Sequence, residues 1–283
     1  MRNVTAGLIA ALMATLAFSS IAAAQAGSAN GGNAAANNTL YNKLNADPST
    51  GGPAPKRDFS GAWAGPLNAS ATEEVPPLTP LGEKMFSLHK SERKYGTANS
   101  NDPLNTCDPL GFPRDVVFET RGLGFATMPG KIVLLHQYQK IWREVWMDGR
   151  PLPKNIDAKD GPPSTWYGYS VGHWEGDYTL VVDTTGSDDR SWLDTAGYPH
   201  SVNAHVQERY TRVDHNHLDL VATVDDPALY TKPFVLAKAK FRWIPSQETE
   251  EQMCVPSEAI SYYNNIALPS FGKDPNGKDS KAK

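Results

Sequence analysis

The stretch HVQERYTRVDHNHLDLVATV, residues 205–224, decides the fold. Its two halves are rich in β-branched and apolar residues and are joined by His215-Asn216-His217, a turn too short for anything but an antiparallel hairpin. In the second half Leu218, Leu220, Ala222 and Val224 fall on one side of a strand, while Asp219, Val221, Thr223 and Asp225 fall on the other. One face is therefore apolar and the other mixed, as in a sheet that covers a core on one side. A second hairpin turns at Glu175-Gly176-Asp177, and turns this short exclude a parallel βαβ arrangement there. Strand character recurs over residues 116–120, 125–128, 132–146, 169–174, 179–184 and 234–244. The longest of these, 132–146, cannot keep its apolar residues on one face, which implies a bulge or burial on both sides. About eight to ten strands then hide their edges by closing into an antiparallel barrel or folding into a sandwich, the barrel being preferred.

Outward from this region the chain becomes irregular. Residues 56–114 hold closely spaced prolines and read as a wrap over the core. Within it, Leu81, Met85 and Leu88 follow Thr79-Pro80 at helical spacing and predict about one short helix within residues 78–94. At the start, Arg2, an apolar run over 8–24 and the small-residue ending Ala24-Gln25-Ala26 form a secretory signal with cleavage after Ala26. The organisation expected is a signal peptide (1–26), a flexible linker (27–55), a single β domain (56–268) and a disordered tail (269–283).

The net charge of −4, with acids and bases interspersed, leaves no footprint for a nucleic-acid partner. No stretch beyond the signal approaches the roughly 20 apolar residues of a membrane helix, so no stable membrane insertion is expected once the signal is removed. The protein is expected in the periplasm or outside the cell, and its oligomeric state is left open. The two cysteines, Cys107 and Cys254, meet an oxidising compartment there. A disulfide is the expected reading, with two buried free thiols as the alternative.

Several strings resemble those of a family of secreted bacterial proteins: DFSGAW at Asp58, CDPLGFPR at Cys107, WYGYSVGHWEGDYTLVVDT at Trp166, PHSVNAHVQERYTRVD at Pro199, DDPALYTKP at Asp225 and CVPSEA at Cys254. The resemblance covers most of residues 58–264 and implies no catalytic residues. Gly61-Ala62-Trp63 ahead of antiparallel hairpins also resembles the opening of lipocalin-like (calycin) barrels, which implies an enclosed small apolar ligand.

Reactive side chains are densest over residues 183–209, where Asp183, Asp188, Asp189, Arg190, Trp192, Asp194, His200, His205, Glu208 and Arg209 join two strands. A polar connection at a barrel mouth is where ligand contacts collect, although the same acids and Arg190 also suit loop turns and surface ion pairs. His200 and His205 are the proton-transfer candidates, with Asp183 or Glu208 as orienting carboxylate and Arg209 or Arg190 to hold an anion. Strand parity, however, sets His205 and Glu208 on opposite faces. Their spacing matches no zinc pattern, so no metal is expected, and no cofactor either. His136 and Tyr138, placed on one strand face with Leu134 and Trp142, join Tyr167, Tyr169, Trp192 and Arg190 as candidate ligand contacts, while core packing is the preferred reading for Trp142 and Trp174. Arg121, Arg143 and Arg209 lie in or beside strands, and any that point inward need Asp183, Glu119 or a ligand carboxylate as partner.

No GxSxG elbow, phosphate loop or dinucleotide fingerprint is present. Three functions are left: an exported barrel binding a small, partly aromatic or sugar-like ligand, a cofactor-independent lyase or hydrolase on the same barrel, and an envelope structural protein. Convergence of His200 or His205, an acid and an arginine in one concave pocket separates the first two from the third, which scattered positions would favour.

Overall fold

The computed structural model describes residues 49–65, 75–117, 122–245 and 251–273. The signal segment, Glu119, Arg121 and residues 274–283 lie outside these.

Nine strands close into a barrel in chain order. They are β1 (Gly61–Ala64), β2 (Leu123–Met128), β3 (Lys131–His136), β4 (Ile141–Trp146), β5 (Tyr169–Glu175), β6 (Thr179–Thr185), β7 (His205–Arg212), β8 (His217–Asp225) and β9 (Phe234–Trp243). Neighbours pair antiparallel, and β1 meets β9 through Trp63↔Trp243 to complete the circle. One seam differs: β4 and β5 run parallel, paired only at Val145↔Ser170 and Trp146↔Val171. Residues 147–168 carry the chain back along the wall between them, the long crossover that a parallel pair requires.

The alternation read from the sequence is the alternation of the wall. Leu218, Leu220, Ala222 and Val224 of β8 are buried, as are Val206, Glu208, Tyr210 and Arg212 of β7. The apolar ones among them, with Trp63, Phe125, Leu134, Leu180, Val182 and Phe241, form the core. Each such side chain removed from water contributes roughly 1.5–3 kcal/mol before chain entropy is set against it. The predicted long strand over 132–146 is instead the β3–β4 hairpin. Gln139 and Lys140 turn it with φ of 58° and 51°, so both sides of the apolar pattern are explained without a bulge. The bulge lies between β8 and β9, at Ala222/Thr223. Val116, read as strand, belongs to the short helix α3 (Arg114–Val117).

The wrap contains α1 (Pro80–Leu88) and α2 (Glu92–Tyr95). The Thr79 side chain caps α1 by accepting from the Gly82 amide, and Pro80 opens it, as the sequence predicts. Of the three apolar residues at helical spacing only Met85 packs against the core; Leu81 and Leu88 are exposed. Gly82 lies so close to β-barrel connection 226–233 that a Cβ there would stand 2.3 Å from the Leu229 carbonyl oxygen.

Residues 110–117, including α3, plug the end of the barrel at which β7 and β9 begin. Phe112, Val116 and Val117 enter the core, and the buried Arg114 is held by both oxygens of Asp102 at 2.8 and 2.6 Å. At the opposite end Arg212 lies over the Trp63 ring at 4.8 Å and donates to the Asp58 carbonyl at 2.6 Å. Thr50 and Gly52 accept from the Asn216 and His215 amides of the β7–β8 turn, and Phe271 lies against Gly96. Cys107 and Cys254 form a disulfide with Cα atoms 5.4 Å apart, tying the segment before the plug to the segment after β9. Among the described residues no helix is long and apolar enough to cross a membrane.

Candidate functional site

Ionisable side chains meet inside the barrel behind the plug. Inward parity on β4 puts Arg143 on the same side as Val145, and inward parity on β7 puts Glu208 beside Tyr210. The Arg143 Nη2 donates to Glu208 Oε2, Tyr210 donates its hydroxyl to Glu208 Oε1 at 2.6 Å, and the guanidinium lies 4.3 Å from the Phe112 ring centroid. The plug contributes Asp115, whose Oδ2 lies 3.3 Å from His136 Nε2 on β3, within ion-pair reach but without hydrogen-bond geometry.

Burial governs the protonation of this group. It raises the Asp115 carboxyl to about 7 against the opposing pull of Arg143. It lowers the His136 imidazole to about 3, and the positive Arg143 adds to that effect. Glu208 is also pushed up by burial, opposed by Arg143 and the Tyr210 hydroxyl. Burial works to lower Arg143, but Glu208 and Asp115 hold its guanidinium above the usual value. At neutral pH the compartment thus holds a neutral His136 and an Asp115 near its midpoint, beside the Arg143–Glu208 hydrogen bond.

Polar capacity here is only partly used. Both Asp115 oxygens, His136 Nε2, Arg143 Nε and Arg143 Nη1 are buried with no hydrogen-bond partner among the described residues. Two cavities of about 20 Å³ adjoin them, one lined by Asp115, His136 and Tyr210, the other by Asp115, His136, Tyr138 and Tyr167. Each has room for a water-sized polar group.

A larger concavity opens at the parallel seam. Because β4 and β5 pair over two positions only, the wall gapes beside the first half of β4. The resulting cleft, about 580 Å³, is lined by Trp142, Trp146, Tyr167, Tyr169, Arg150 and three prolines, with Arg143 and Ser170 on its inward side. Trp142 is 67% exposed, far from the core position the sequence reading gave it. Arg150 stacks on Trp146 with 3.6 Å between its guanidinium carbon and the ring centroid. Tyr167 borders both the cleft and an inner cavity, and so stands between them.

The residues singled out in the sequence divide between this region and three other places. His136, Tyr138, Tyr167, Tyr169 and Glu208 belong to the seam and the compartment behind it. Asp183 and His205 pair at 2.9 Å on the outer wall, where Gln207 also bonds Asp183, so His205 and Glu208 are on opposite faces as parity requires. The hydrogen bond from His205 lowers Asp183, and the reverse interaction raises His205. Arg209 is also outside, donating to both oxygens of Glu175. His200 is buried in the 186–204 connection, its Nε2 2.9 Å from Ser191 Oγ, and burial lowers it. Trp192 is buried under Arg114 and stacked on His89 at 4.7 Å, while Arg190 pairs with Asp188 and covers Trp166. The connection does lie at the plugged end, but as packed structure in which His200, His205 and Arg209 are not brought together. No group of three His, Cys, Asp or Glu among the described residues is placed to hold a metal.

Sequence reasoning missed Asp115 and Tyr210, and the place of Trp142 and Trp146 at the cleft. Arg143 points inward and takes Glu208 as partner, in place of the expected Asp183, Glu119 or ligand carboxylate. Fold and site define a plugged nine-stranded mixed barrel with a charged interior and an aromatic cleft at its one parallel seam. No protein-family model matches the chain, and no curated protein matches its sequence.

Proposed function

We propose that this is an exported barrel protein that binds a small, partly aromatic or sugar-like ligand in the β4–β5 cleft. The single observation that carries the reading is the cleft's lining: Trp142, Trp146, Tyr167 and Tyr169 border about 580 Å³, a volume suited to one small molecule. An exposed tryptophan beside prolines presents a rigid apolar face, and ring-shaped ligands stack on such faces at little conformational cost. Export is supported by the amino-terminal sequence pattern and by the Cys107–Cys254 disulfide, a bond that persists in oxidising compartments. The test is capture of metabolites on the mature protein, with mass spectrometry of what is retained. Retention by the wild type and loss in Trp142→Ala support the reading; equal retention by both contradicts it.

A second reading, a cofactor-independent lyase or hydrolase, is favoured by the unpartnered atoms of Asp115 and His136 beside the inner cavities. A carboxyl near its midpoint and a neutral imidazole form a set that gives and takes protons. Turnover of a captured compound, lost in His136→Gln with its binding retained, would separate this reading from binding alone.

A further inference from the structure

We propose that the ligand of the β4–β5 cleft is a ring-bearing acid whose carboxylate is held by Arg143, an inference that rests on the cleft reading above. Arg143 lines the cleft, and its side chain is 2% exposed. A guanidinium is donor-only, and here one nitrogen, Nη2, serves Glu208 while the N–H groups of Nε and Nη1 find no acceptor among the described residues. A buried donor without an acceptor costs on the order of 1–3 kcal/mol, so an acceptor arriving from the cleft recovers that loss. The wall permits the approach, since pairing between β4 and β5 begins only at Val145↔Ser170.

The chemistry of the acceptor follows from the same surroundings. Charge-assisted hydrogen bonds are about twice as strong as neutral ones, and the planar guanidinium suits a carboxylate. The charged residues lining the cleft are Arg143 and Arg150 against Glu144 alone. A ring stacked on Trp142 or Tyr169 would direct its substituent inward. Facing Arg143 from the packed elements are Glu208 and Tyr210 on β7, Asp115 on the plug, His136 on β3 and Tyr167 before β5. With Glu208 already beside Arg143, an entering carboxylate is tolerated while Asp115 is protonated and repelled once it ionises. Affinity should therefore fall as pH rises through about 7, the value to which burial raises Asp115.

A carboxylate on a six-membered ring occurs on sugar acids and on aromatic acids, and two matched pairs distinguish them. Calorimetric titration of the full mature protein compares D-galacturonate with D-galactose, and 4-hydroxybenzoate with 4-hydroxybenzyl alcohol, at pH 6 and pH 8. The expected result is that one acid binds at least about tenfold more tightly than its neutral partner at pH 6, a difference of about 1.4 kcal/mol, and that this preference shrinks at pH 8. Arg143→Lys, which keeps a cation beside Glu208 but lacks the planar fork of donors, should weaken the preference. Asp115→Asn should keep the preference at pH 8, and it tests the proposal if the lysine variant does not fold. Equal binding of acid and neutral partner overturns the proposal while leaving the cleft reading intact. Binding of none of the four compounds also overturns it, and the cleft reading then stands or falls on metabolite capture.

Discussion

The Asp115 carboxyl faces the His136 imidazole at 3.3 Å, one carried by the plug and the other by the barrel wall, and burial drives their titrations in opposite senses. Asp115 is raised to about 7, so between about pH 4 and pH 7 the native state binds more protons at this site than the unfolded chain. Stability from this residue is therefore lost as pH rises across that window. His136 is lowered to about 3, so between about pH 3 and pH 6.5 the unfolded chain binds more protons, and stability from this residue is lost as pH falls.

The two slopes nearly cancel in the intact protein, and single substitutions should expose them. Asp115→Asn is expected to lose stability on acidification from pH 6.5, and His136→Gln is expected to lose it on alkalinisation from pH 4 to pH 7. Each full span is on the order of 4 kcal/mol at one pKa unit per 1.36 kcal/mol. Urea denaturation across pH 4–7 checks this, and parallel pH profiles for the two variants would contradict it.

The Arg143–Glu208 pair should be costly to break and cheap to replace. Removing one partner leaves a buried charge alone, so Arg143→Met or Glu208→Leu is expected to cost about 3–5 kcal/mol. The double variant should recover a large part of that loss, since two apolar side chains need no counterion. Equilibrium unfolding of the four proteins gives the coupling energy, and additive losses would count against a paired interior.

Reduction of Cys107–Cys254 should destabilise the protein without dissolving its fold. The bridge spans a sequence separation of 147, for which loop closure in the unfolded chain gives at most about 5 kcal/mol. Thermal unfolding with and without reductant measures the loss. An unchanged transition temperature would mean that the bridge between the plug side and the β9 side constrains nothing.

His205→Ala should leave ligand binding unchanged, because His205 and Asp183 pair on the outer wall away from the cleft. Since Asp183 raises His205, the stability it contributes is full below the unfolded value of about 6.5 and fades as pH rises through the folded value. Titration of the variant with the captured ligand is the check, and a large affinity loss would move the site to the outer wall.

The wall of the barrel was legible because strand parity is a local property. The alternation of Leu218, Leu220, Ala222 and Val224, and the two short turns, carry through to β7 and β8 without change. The candidate site was legible only in part. Nothing local tells that Asp115, between the wrap over 56–114 and a segment that reads as strand from 116, turns inward on a plug and meets His136, so their pairing depends on tertiary packing. Trp142 was placed in the core because the Gln139–Lys140 turn was not recognised. Without that turn, parity counted across residues 132–146 gives the wrong face for Trp142. The polar density of residues 183–209 marked a real connection, but acids and histidines at a barrel end serve loop packing as readily as ligands.

The most direct test of the cleft as the ligand site is the position of bound compound in crystals of the mature protein soaked with the molecule retained in the capture experiment. The expected result is difference density at the β4–β5 seam, with a ring against Trp142 or Tyr169 and an oxygen substituent directed at Arg143. Density at the other wall groove, between Gly61 and Ile141, or on the outer wall at His205, would contradict the account.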